Sequence, residues 1–124
     1  MRSTLRGFVV TDMKHELTEI GWLGTSLKGH ITATFDELVD TFGYPNIVND
    51  KTPQADKVWW EWCIDFYDAE EDESYVATIY DWKEMGPSAS RIGEYQWHVG
   101  GKSLQSLWCV TDTLERTYPE KLQL

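Results

Sequence analysis

The chain has 124 residues, 41% hydrophobic and 26% charged, with a formal charge of −10 and an isoelectric point near 4.6. That suffices for one domain with one core, is too apolar for a disordered polymer, and is too acidic to grip a phosphate backbone directly. No apolar run approaches the ~18 residues of a membrane span, and with no signal-like start the two cysteines, Cys63 and Cys109, are expected as reduced, buried thiols in a cytosolic protein.

In chain order, residues 1–23 read as an N-terminal extension. Phe8-Val9-Val10 suggests a short strand, and Met13, Leu17 and Ile20 have a weak helical spacing. The domain proper is expected over residues 24–117. Gly24 and Gly29 punctuate its start, and His30–Ala33 reads as the end of a strand running into a helix. Thr34 can cap that helix, with Glu37 completing a Thr-x-x-Glu capping box. Phe35, Leu38, Val39 and Phe42 then form one apolar stripe, and Gly43 and Pro45 end the helix, Gly43 in a left-handed cap.

After a polar loop, Lys57–Tyr67 alternates as a strand. Trp60, Trp62, Ile64 and Phe66 share one face, and Trp59, Glu61, Cys63, Asp65 and Tyr67 the other. The turn 68–74 is dense in acid. Tyr75–Lys83 is the next strand, with Val76, Thr78, Tyr80 and Trp82 opposite Tyr75, Ala77, Ile79, Asp81 and Lys83. A loop built on Met85-Gly86-Pro87-Ser88 leads to a strand at Gly93–Val99. Gly100-Gly101 then reads as a turn into a second helix, Lys102–Thr117, capped by Ser103, with a core stripe of Leu104, Leu107, Trp108, Thr111 and Leu114. Residues 118–124 read as a short tail. The order β-α-β-β-β-α predicts a single α+β domain: an antiparallel sheet of about four strands with both helices on one face.

The sequence holds no nucleophile elbow, no clustered metal ligands and no Walker loop, so no catalytic residue, metal or cofactor is expected. Two surfaces remain. Asp65, Asp68, Glu70, Glu71, Asp72 and Glu73 form an acidic prong that suits a basic protein partner, although such a turn is more often merely solvated. Asp81, Trp82, Lys83, Trp97, His98, Gly100, Gly101 and Lys102 could instead hold a nucleotide: the basic groups and the Gly-Gly turn on phosphate, an indole on the base. Period-two aromatics are more often core, and Asp81, Lys83 and His98 more often a cross-strand polar set. A small enzyme using His98 with Asp81 ranks last.

Several ordered blocks carry a resemblance. They are Gly24-Thr25-Ser26-Leu27-Lys28-Gly29, Phe42-Gly43-Tyr44-Pro45, Glu61-Trp62, Ala77-Thr78-Ile79-Tyr80-Asp81-Trp82-Lys83 and Trp97-His98-Val99-Gly100-Gly101. In these blocks, across about residues 24–110, the chain resembles a family of small tailed-bacteriophage proteins. The resemblance implies an accessory protein of the host cytoplasm that antagonises bacterial defence by binding a host protein such as a nuclease. A homo-oligomer is also compatible with it. The acidic charge adds the expectation of a nucleic-acid-mimicking surface.

Overall fold

The computed structural model describes residues 13–19, 24–48 and 58–121. The strand suggested at Phe8-Val9-Val10 lies outside them. The described residues form strands β1 (Met13–Leu17), β2 (Ser26–Thr34), β3 (Ile47–Val48), β4 (Trp60–Asp68), β5 (Glu73–Tyr80) and β6 (Glu94–Gly101), and helices α1 (Phe35–Phe42) and α2 (Leu104–Thr117). The fold is α+β, as the element order predicts. Five strands run antiparallel in the order β1-β4-β5-β6-β2, and the two-residue β3 pairs with β4 beside β1.

The expected four strands become five because Met13–Leu17 is a strand, not a helix. Met13, His15 and Leu17 oppose Asp68, Phe66 and Ile64 on the helix-covered face, while Lys14 and Glu16 oppose Tyr67 and Asp65 on the other. His15 takes the apolar side by packing its ring on Phe42 and Phe66, at 5.6 and 5.8 Å between centroids. The sheet therefore includes residues ahead of Gly24. Asn46 completes this edge: its amide donates to Thr18 O (2.8 Å) and accepts the N–H of Cys63 (2.9 Å). In that way a side chain continues the ladder between β3 and β1.

Helix α1 forms where its caps dictate. Thr34 Oγ1 accepts the N–H of Glu37 (3.0 Å), and Glu37 Oε1 accepts the N–H of Thr34 (2.9 Å). Gly43 ends the helix at φ 93°, ψ 177°, a positive-φ conformation that favours glycine but lies outside the expected left-handed helical cap. Thr34→Ala should cost about 1 kcal/mol in urea unfolding; an unchanged midpoint would show that the box does not contribute.

The two helices cover one sheet face. Phe35, Leu38, Phe42, Trp62, Ile64, Phe66, Ala77, Ile79, Trp97, Val99, Cys109 and Val110 are buried between the layers. Helix α2 is rotated from its expected phase. It buries Ser106, Cys109, Val110, Asp112 and Leu114, and leaves Leu104 half exposed. Close approach sets that phase: a Cβ at Gly101 would lie 2.3 Å from Ser106 Cβ, and one at Gly29 would lie 2.8 Å from Leu107 Cδ2. Small residues let α2 settle on the sheet, and Ser106 then donates to Val76 O (2.8 Å). Ser103 stands at the N-cap but makes no side-chain cap bond. The expected tail also docks: Pro119–Lys121 form a 3₁₀ turn, and Lys121 bridges Glu37 and Glu94 at 2.9 Å each.

Indole N–H groups tie the layers and loops together. Trp62 donates to Gly43 O (2.7 Å), Trp97 to Ala33 O (3.0 Å), Trp59 to Glu84 O (3.0 Å) and Trp60 to Pro87 O (2.6 Å). Phe35 sits among Trp60, Trp62 and Trp97, and the Arg91 guanidinium lies 4.6 Å from its ring centre. Desolvation pushes the thiols of Cys63 and Cys109 up to about 11 and about 12, so both are inert near neutrality. Among the described residues no helix is long and apolar enough to cross a membrane.

Candidate functional site

The acidic turn is the tip of the β4–β5 hairpin, where Asp68 opposes Glu73 and residues 69–72 turn the chain. Glu70, Glu71, Asp72 and Glu73 are exposed there. Asp68, grouped with them on sequence grounds, points inward instead. It is 7% exposed, and its Oδ1 accepts the N–H groups of Glu70 (3.0 Å) and Glu71 (3.3 Å). It orders the turn rather than facing a partner. Asp72 takes a positive φ of 53° and accepts the hydroxyl of Tyr67 (3.0 Å). The tip thus presents four carboxylates on an ordered turn.

Asp65 stands three residues before Asp68 on the uncovered face of β4. Its cross-strand neighbour is Glu16 on β1. Two carboxylates directly opposite repel. Desolvation, followed by the charge of Glu16, raises the Asp65 carboxyl above the usual carboxylate range. Its Oδ1 is buried with no hydrogen-bond partner among the described residues. Around the pair lies a hollow of about 270 Å³ lined by Lys14, His15, Glu16, Asp65 and Tyr67. Tyr67 links this hollow to the tip through Asp72. Glu16 is hidden in the sequence by the helix-like spacing of Met13, Leu17 and Ile20; the alternation of Met13, His15 and Leu17 with Lys14 and Glu16 is the signal of the strand.

The second candidate surface does not assemble as expected. Tyr80, not Asp81, opposes His98. Asp81 lies just beyond β5, fully buried. Its Oδ1 accepts the N–H groups of Trp59 (2.8 Å) and Trp60 (3.1 Å), and its Oδ2 the hydroxyl of Ser90 (2.9 Å). It is a loop anchor with both oxygens engaged, not a catalytic partner for His98. Trp97 is fully buried against Trp62 and Tyr95, so it cannot stack on a base. Gly100 and Gly101 are paired strand residues rather than a phosphate-cradling turn. A Cβ at Gly100 would meet Thr78 Oγ1 at 2.6 Å, so close packing explains both glycines.

What the uncovered face does bring together is His98, Tyr80, Trp82 and His30. Ring centroids lie 4.5 Å apart for His30–His98, 5.4 Å for Tyr80–His98 and 6.0 Å for Trp82–His98. Desolvation, then His30, lowers the His98 imidazole below its ordinary value. Beside them is a hollow of about 180 Å³, lined by Thr25, Ser26, Val58, Glu61, Thr78, Tyr80, Trp82 and Gly100. Ligand pockets run to roughly 300–1,000 Å³, so among the described residues this hollow is smaller than a typical ligand pocket. Lys83 is exposed, at φ 59°, with its Nζ 5.8 Å from the Trp82 ring centre, and Lys102 is exposed near Gly24. Among the described residues no group of three or more His, Cys, Asp or Glu is placed to hold a metal. No protein-family model, no curated protein and no solved structure matched the chain when it was compared with them.

Proposed function

We propose that this protein works by binding, not by catalysis, and that its acidic hairpin occupies a basic site on another protein. The observation that carries this reading is the Glu16–Asp65 pair. An unpartnered buried acceptor costs roughly 1–3 kcal/mol, and a like-charge cross-strand pair adds to that. A partner's Lys or Arg entering the hollow beside Lys14 would supply the missing donor and a second positive charge for the two carboxylates. The exposed carboxylates at 70–73 extend the same negative surface outward. The block resemblance to phage proteins makes a nucleic-acid-binding component of host defence the partner class we favour, with the carboxylates standing where phosphates would.

Two measurements test the proposal. Asp65→Asn removes the repulsion and lets the amide donate to Glu16, so it should stabilise the free protein by up to about 1 kcal/mol. The pH dependence follows the sign of the shift. A raised folded-state pKa means that the stability linked to Asp65 is present in acid and lost as pH rises through that pKa. The gain in the variant should therefore appear at neutral pH and vanish in acid. The same variant, and a tip reversal (Glu70→Lys, Glu71→Lys, Asp72→Asn, Glu73→Lys), should each lose at least tenfold in capture of a bacterial partner from host lysate. Undiminished capture by the folded tip variant would overturn the proposal.

A further inference from the structure

The two outer strands of the sheet differ. β1 is five residues long, whereas β2 runs for nine and, among the described residues, pairs with β6 alone. The orientation of its backbone groups follows from two side-chain bonds. Thr34 gives its N–H to Glu37, not to β6, and the carbonyl of Ala33 receives the Trp97 indole from the β6 side. In an antiparallel strand the N–H and C=O of one residue point the same way, and the direction alternates. Ile31 and Ala33 therefore face β6, and His30 and Thr32 turn both backbone groups to the open edge. The 4.5 Å approach of the His30 and His98 rings agrees, because pairs without mutual hydrogen bonds bring side chains closer.

Beside this edge runs a groove of about 420 Å³. β2 supplies one wall with His30, Ile31 and Thr32. The other is the C-terminal half of α2 with Thr111, Leu114 and Glu115, continued by Glu120 and Lys121, and Glu94 closes the end. Three consecutive residues of one strand can line a groove only along its backbone edge. A sheet edge beside a helix is the geometry in which extended peptides are captured by strand addition. The charge selects the peptide. Among the described residues, three carboxylates, Glu94, Glu115 and Glu120, line the groove with one cation, Lys121, which is held between Glu37 and Glu94.

We infer that β2 and α2 form a docking groove for an extended, Lys- or Arg-bearing segment of a partner protein, which adds as a further strand along His30–Thr32. This surface lies at the opposite edge of the sheet from the Glu16–Asp65 hollow and does not depend on it. The test is an NMR titration of the intact chain with a blocked octapeptide alternating Val and Lys. A control peptide has every backbone nitrogen methylated, which keeps the charges but removes the donors. The parent peptide should shift the amides of His30, Thr32, Glu115 and Glu120, and the methylated one should bind at least tenfold more weakly.

Thr32→Pro deletes an outward N–H without touching the ladder to β6, and should also lose at least tenfold. Should that variant misfold, Glu120→Lys, at an exposed position, should weaken binding at least threefold. Neutralising the tip (Glu70→Gln, Glu71→Gln, Asp72→Asn, Glu73→Gln) should leave groove binding unchanged, which separates this inference from the proposed function. Equal binding of the methylated peptide overturns it. So do shifts confined to residues 65–73, or a stable dimer closed through β2.

Discussion

Asp81→Ala should destabilise the protein by roughly 3–4 kcal/mol, because it strips the acceptor from three donors at once. Those donors are the N–H groups of Trp59 and Trp60 and the hydroxyl of Ser90. Together they hold the start of β4 to the long loop after β5. Burial raises the Asp81 carboxyl, while these hydrogen bonds pull it back. Asn offers the same Oδ1 to both N–H groups and an amide to Ser90, whose hydroxyl can turn to accept. Asp81→Asn should therefore retain most of the stability that Asp81→Ala loses. Urea unfolding followed by circular dichroism measures both. Equal loss in the two variants would mean that charge, not acceptor geometry, is what the site needs.

Trp97→Ala should cost about 3–5 kcal/mol, the range for deleting a buried aromatic from a packed core. The indole touches Trp62, Tyr95 and Phe35, with ring centroids 5.4, 4.8 and 6.4 Å away. Trp97→Phe keeps much of that volume and loses the bond to Ala33, so it should cost clearly less. Trp82, 40% exposed, provides the contrast: Trp82→Ala should move the unfolding midpoint little. If the Trp82 change proved the more damaging, the assignment of core and surface aromatics would be wrong. The contrast matters for function: of the two indoles named for a base, Trp82 is exposed and Trp97 is not.

The legible parts of the fold were those whose signals are local. Thr34 and Glu37 announce α1, and the alternation Trp60, Trp62, Ile64, Phe66 fixes which face of β4 is covered. Both depend on residues within a few positions of one another. What was illegible depends on partners distant in sequence. Met13–Leu17 has the apolar spacing of a weak helix, and only pairing with β4 makes it a strand. The phase of α2 is hard to read because large apolar residues such as Leu104 and Leu107 suggest a different buried face from the one that Ser106 and Cys109 occupy. It is the closeness of Gly29 and Gly101 that decides the matter.

The candidate surfaces divide in the same way. The acidic tip could be seen as a run of acidic letters, but Asp68 had to be folded to be recognised as the residue that orders the others. Asp81 and His98 looked like companions because both are polar and near strand ends. Register separates them: a single step along β5 puts Tyr80 opposite His98 and turns Asp81 toward the loop. In the sequence Asp65 stands out only by its charge. Its opposition to Glu16 needs β1, the strand that was not foreseen.

The way Asp68 holds the hairpin tip has an evolutionary consequence. It binds the main-chain N–H groups of Glu70 and Glu71 and asks nothing of their side chains. The turn's shape and its outward chemistry are thus under separate selection. Positions 70 and 71 can change in size and charge with little folding penalty, while Asp68 and the left-handed Asp72 keep the loop in place. Single substitutions at 70 and 71 can therefore change the charge of this tip at little cost in stability.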